Sequence, residues 1–85
     1  MKLTEIKNLR RKKSPIMYIQ EFNGTAVFKL KETVDCRVCF TLEKFPLGDF
    51  DIQVSLLDSI DHPPDPLISV LKEHIQSLYE KNQLP

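Results

Sequence analysis

Two stretches in the middle of the chain alternate strictly between apolar and polar residues. Over residues 35–43, Cys36, Val38, Phe40 and Leu42 fall on one side, and Arg37, Cys39, Thr41 and Glu43 on the other. Over residues 49–56, Phe50, Ile52, Val54 and Leu56 alternate with Asp49, Asp51, Gln53 and Ser55. A period of two is the mark of a half-buried strand. The intervening loop Lys44–Gly48 pairs Leu42 with Phe50 and Phe40 with Ile52, so both apolar rows share one face.

An earlier stretch predicts a second hairpin. Asn23-Gly24 suits the two central positions of a type I′ turn, whose twist matches a two-residue β-hairpin. The flanks then form strands over about 16–22 and 25–31. Phe22 faces Thr25, Ile19 faces Phe28 and Met17 faces Leu30. One face carries Met17, Ile19, Ala26, Phe28 and Leu30.

Farther on, the period changes from two to that of a helix. Leu67, Ile68, Leu71, Ile75, Leu78 and Tyr79 make an apolar stripe, with Lys72, Glu73, Gln76 and Glu80 opposite. Asp65 is the expected N-cap and Pro66 the first helical residue, with the helix running over about 66–81. Its stripe fits across the apolar face of the sheet. Before the strands, Leu3, Ile6 and Leu9 recur every third residue, which suggests one helical turn without strong caps. Ser14-Pro15 follows and reads as a boundary.

The expected fold is therefore α+β: a four-stranded antiparallel meander of two hairpins, packed on one C-terminal helix (ββββα). The strands are expected over about 16–22, 25–31, 35–43 and 49–57. Residues 1–14 form a flexible basic arm, and residues 15–85 a single domain. The expected core sets Phe28, Val38, Phe40, Phe50, Ile52 and Val54 against Leu71, Ile75 and Leu78.

Composition narrows the class. Apolar residues make up 41% of the 85 and charged residues 28%, ordinary values that argue against wholesale disorder. A chain this short is marginal alone, so a partner subunit is expected to help. No apolar run is long enough for a membrane span or a signal peptide, and two cysteines are too few for a disulfide scaffold. A cytoplasmic protein with no membrane association is the expectation. Net charge is zero but uneven: residues 1–15 carry a net +5, chiefly from Arg10, Arg11, Lys12 and Lys13, and the remainder carries −5. A basic arm binds an anion, folds back on its own acidic body, or acts as a localisation signal or solubilising tail.

The chemistry-bearing residues are sparse. Cys36 and Cys39 have C-x-x-C spacing, but inside a strand residues three apart point to opposite faces, so no metal site or redox pair is expected. His62, among Asp58, Asp61 and Asp65, lacks the spacing of a calcium loop and reads as solvated loop charge. His74 reads as a boundary residue of the helix. Two glycines exclude a glycine-rich phosphate loop. No enzyme activity, cofactor or metal is expected.

What remains is a surface. If Leu30 pairs with Cys36, Lys29 lies beside Arg37, and Tyr18, Lys29 and Arg37 form a row on the sheet face away from the helix. Phe22, Val27 and Lys31 flank it. The leading expectation is a non-enzymatic protein-interaction or self-associating module, a homo-oligomer using this face. The alternative is a single-stranded nucleic-acid-binding domain, because bases stack on rings while cations hold phosphates. The basic residues Arg10, Arg11, Lys12 and Lys13 would add phosphate contacts. The four-strands-then-helix plan is similar to that of Pur-type single-strand-binding repeats, a likeness of layout that carries no residue roles.

Overall fold

The computed structural model describes residues 2–13 and 18–85. Four antiparallel strands form one open sheet in the order β1-β2-β3-β4, where β1 is Lys2–Lys12, β2 Ile19–Lys29, β3 Thr33–Lys44 and β4 Phe50–Leu56. The helix α1, Pro64–Glu80, packs on one face. The ββββα architecture is thus as expected. Its strands, however, are cut from the chain at different places.

The first correction concerns the N-terminus. Residues 2–12 are not an arm but the edge strand β1, paired with β2 from Lys2↔Lys29 to Lys12↔Glu21. The threefold spacing of Leu3, Ile6 and Leu9 has a strand explanation. The register shifts once between Leu3 and Glu5 and again between Lys7 and Arg10, each time adding one residue to β1. An extra residue turns a period of two into a period of three. All three side chains therefore reach the core side, half-buried against the main cluster. Asn8, within the second bulge, takes a φ of 55°, a left-handed conformation that Asn adopts more readily than most residues.

The second correction follows from the first. Asn23-Gly24 is not a turn; it lies inside β2, with Asn23 beside Cys39 and Gly24 beside Val38. A turn there would leave β1 without a partner strand. The long β2 instead satisfies backbone groups on both sides, toward β1 and toward β3. Gly24 serves close approach: a Cβ at this position would lie 2.9 Å from Ile6 Cγ2 and 3.3 Å from Leu9 Cδ1. The first predicted strand pair is therefore one strand, and the expected pairings Phe22–Thr25 and Ile19–Phe28 do not occur. Those involving Ile16 and Met17, and the Ser14-Pro15 boundary, lie outside the described residues.

The β2–β3 connection is short, Leu30–Glu32, with Lys29 beside Thr33 and Cys36 beside Ala26 rather than Leu30. In the β3–β4 hairpin the pairing is Lys44↔Phe50 and Leu42↔Ile52, two residues from the expected register. Parity is kept, so the same side chains face the core. The turn closes with Gly48 N–H donating to the Phe45 carbonyl (3.0 Å), and Gly48 adopts a φ of 97° that favours glycine.

The helix starts at Pro64, earlier than expected, with Pro63 at the cap and no side-chain cap. The first-turn N–H groups of a helix have no internal partner, so prolines there cost nothing and Asp65 need not cap. At its other end, Asn82 (φ 56°) donates its backbone N–H to the Tyr79 carbonyl and Gln83 N–H donates to the Leu78 carbonyl. This is a Schellman ending, with Asn in the left-handed position.

The even-numbered residues of β2, β3 and β4 meet α1. Phe22, Ala26, Phe28, Cys36, Val38, Phe40, Leu42 and Ile52 are buried with Leu67, Leu71 and Ile75. Of the expected core, Phe50 and Val54 are half-buried against this cluster, and Leu78 is partly buried.

Candidate interaction surface

The register sorts the odd-numbered residues of β2, β3 and β4 onto the face away from the helix. Rows across it run Lys2–Lys29–Thr33, Glu5–Val27–Asp35 and Lys7–Thr25–Arg37. The next rows are Arg10–Asn23–Cys39–Ser55 and Lys12–Glu21–Thr41–Gln53, and the last described pairs are Ile19–Glu43–Asp51. Cations thus line the β1 side, and acids gather toward the β3–β4 end.

Several expected members of the surface are elsewhere. Phe22 is only 1% exposed and stacks on Phe40 with ring centroids 5.0 Å apart, so it belongs to the core. With Asn23-Gly24 inside a strand rather than a turn, parity carries it there. Tyr18, 56% exposed, lies at the far end of the sheet, where its carbonyl accepts from Lys44 N–H and its ring lines a hollow with Phe45 and Pro46. Lys31 sits in the β2–β3 connection, beside a groove lined by Leu30, Val34, Ile60 and His62. Val27 and Lys29 are on the outer face, although Val27 is nearly covered. Arg37 is there too, but beside Thr25 rather than Lys29.

Arg37 is also held. Its Nη2 donates to Asp58 Oδ1 at 2.8 Å, its Nε reaches both carboxylate oxygens, and its backbone N–H donates to Oδ2 at 2.9 Å. This fork fastens the segment after β4 to β3 and neutralises the cation. The Arg37 guanidinium and backbone N–H hold the Asp58 carboxyl below the usual carboxylate range. A group whose folded pKa is depressed adds stability above its unfolded value, about 3.9, and loses it as pH falls through the folded value. Asp58→Asn is therefore expected to flatten the acid limb of the stability profile below about pH 4. Urea titrations across that range check this; an unchanged acid limb would contradict it.

The other described ion pair on this face, Lys7 to Asp35 at 2.7 Å, reaches across β2 beside Val27. Arg10 and Lys12 also point to the outer face, Arg11 alternates to the opposite side of β1, and Lys13 follows the strand. Sequence reasoning missed Lys2 and Lys7 as surface members because their segment reads as an arm. The bulged threefold spacing is the signal that could have found them.

Cys36 is buried and Cys39 half-buried, on opposite faces of β3, and neither is in a disulfide. Burial pushes the Cys36 thiol up. Among the described residues no three His, Cys, Asp or Glu side chains converge as metal ligands, and no helix is long and apolar enough to cross a membrane.

A model of one protein family, which carries the locus-style name BB_0187 family, matches residues 1–80. The chain belongs to this family. No curated protein and no solved structure gives a match. The region shared with the family runs from β1 to the end of α1, so it contains the basic edge strand as well as the meander and helix.

Proposed function

We propose that this chain is a small non-enzymatic interaction module that takes an acidic protein segment along β1 and the adjoining outer sheet face. The observation that supports it most is the cation line Lys2, Lys7, Arg10 and Lys12, set on one face of an edge strand and extended by Lys29. An edge strand also offers unpaired backbone groups to an extended peptide. The bulges at Thr4 and Asn8 interrupt that ladder, so side-chain charge supplies most of the contact. Two free cysteines suit a reducing, cytoplasmic compartment.

A protein partner is favoured over nucleic acid by two features. Among the described residues the outer face carries no aromatic ring for base stacking, since Phe22, Phe28, Phe40 and Phe50 all turn toward the helix. Glu5, Glu21, Asp35, Glu43 and Asp51 are interleaved with the cations, which suits a mixed polypeptide better than a polyphosphate. One observation favours a second reading, single-stranded nucleic acid: Tyr18 remains exposed beside Lys44 and Phe45 at the sheet end.

Fluorescence anisotropy of a labelled oligoglutamate peptide and of labelled single-stranded DNA and RNA, at low and physiological salt, separates the two. The peptide is expected to bind saturably, and Arg10→Glu with Lys12→Glu to weaken it roughly tenfold or more, given up to ~1 kcal/mol per exposed pair. Nucleic-acid binding that survives physiological salt and is lost in Tyr18→Ala would shift the function to the second reading. Binding of neither would contradict both.

A further inference from the structure

The two free edges of the sheet differ. β1 is guarded by cations and two bulges, which are the usual means of blocking edge-to-edge pairing. β4 carries none of these: Phe50–Leu56 contains no lysine, no arginine and no proline, and it pairs with β3 without a register shift. Leu57 N–H donates to the Arg37 carbonyl and Phe45 N–H to the Asp49 carbonyl, both at 2.8 Å. The odd-numbered residues of this segment therefore turn their backbone groups toward β3, and alternation turns those of Phe50, Ile52, Val54 and Leu56 outward. Among the described residues nothing bonds to them. An open hollow runs beside this edge, between Gly48–Ile52 and Lys72, Glu73 and Gln76 of α1.

We propose that a second copy of this chain pairs antiparallel along β4, about a two-fold axis at Gln53, making one continuous sheet across the dimer. This register follows from the strand itself. It sets Phe50 opposite Leu56 of the second copy and Ile52 opposite Val54, both in the bonded positions, so every outward backbone group of β4 gains a partner. It also joins half-buried apolar side chains on the helix side, where Phe50, Val54 and Leu56 are incompletely covered. On the outer face, Asp51 lies opposite Ser55 and Gln53 opposite its own copy, so no acid faces an acid. The same operation on β1 would align cations against cations, and pairing β1 with β4 would meet the bulges. A two-fold axis closes the assembly, and the basic strands end up at its two outer edges. The pairing is independent of what β1 binds.

The test uses the full chain with Cys39→Ser and one added cysteine. Opposed residues in a non-bonded antiparallel pair have Cα atoms about 4.5 Å apart, within disulfide reach. Sedimentation equilibrium is expected to show a dimer, and Gln53→Cys to cross-link to its own copy under mild oxidation. Asp51→Cys and Ser55→Cys are expected to cross-link to each other when mixed, and much more slowly alone. Gln53→Lys, on an exposed position, keeps the fold and weakens the dimer several-fold by opposing like charges. A monomer at every concentration would overturn the proposal, as would a dimer in which Gln53→Cys links no faster than Glu80→Cys.

Discussion

Deleting residues 1–13 is expected to abolish cooperative folding. β1 closes one side of the core: Leu3, Ile6 and Leu9 pack against the buried cluster that contains Ala26 and Phe28. Half-burying three such side chains contributes roughly 1 kcal/mol or more each, and the ladder to β2 adds to that. Net stability for a domain of this size is only about 4–13 kcal/mol. Losing the strand also uncovers β2 along its whole length. Circular dichroism with a urea titration checks this, against the full chain under the same conditions. A truncated protein that unfolds with an unchanged midpoint would mean that residues 2–12 are an appendage.

The second large effect separates two neighbouring residues. Gly24→Val is expected to destabilise by about 2–3 kcal/mol, within the range for overpacking, because its Cβ meets Ile6 and Leu9. Asn23→Val, one position earlier, is expected to change stability by no more than about 0.5 kcal/mol, since Asn23 is exposed on the outer face of a continuous strand. A turn at these residues predicts a different pair of results, because a β-branched residue is strained wherever φ is positive. Both substitutions would then be severe. Equilibrium unfolding of the two variants side by side distinguishes a strand interior from a turn.

Where the chain alternates with period two and ends in a helical stripe, the sequence is readable. Cys36 to Leu42, Phe50 to Leu56 and Leu67 to Ile75 each take the element and the core side that their spacing implies. The register of the β3–β4 hairpin differs by two from the expected one because parity, which decides the buried face, is blind to a shift of two. The N-terminal half departs from expectation for a more physical reason. Asn-Gly is a strong local turn signal, but local preference yields when a long strand can pair on both sides. Bulges in β1 disguise a strand as a helical repeat, and with that strand removed, a hairpin at Asn23 is the remaining way to reach four strands.

The candidate surface is less legible than the fold, because it depends on register rather than on pattern alone. Val27, Lys29 and Arg37 lie on the expected face, but their neighbours differ, and Phe22 belongs to the core rather than the surface. The Arg37–Asp58 fork joins residues from separate elements and leaves no mark in local spacing. The contrast between the guarded β1 edge and the regular β4 edge likewise emerges only once both are known to be edges.

The surface, both edges and the role of Gly24 all rest on β2 being one strand held between β1 and β3. Nuclear Overhauser contacts in a labelled sample test this most directly. The predicted result is a set of backbone contacts joining Leu3 to Phe28 and Ile6 to Ala26, with others joining Asn23 to Cys39. Contacts between Phe22 and Thr25 across a turn, with random-coil signals for residues 2–12, would contradict it.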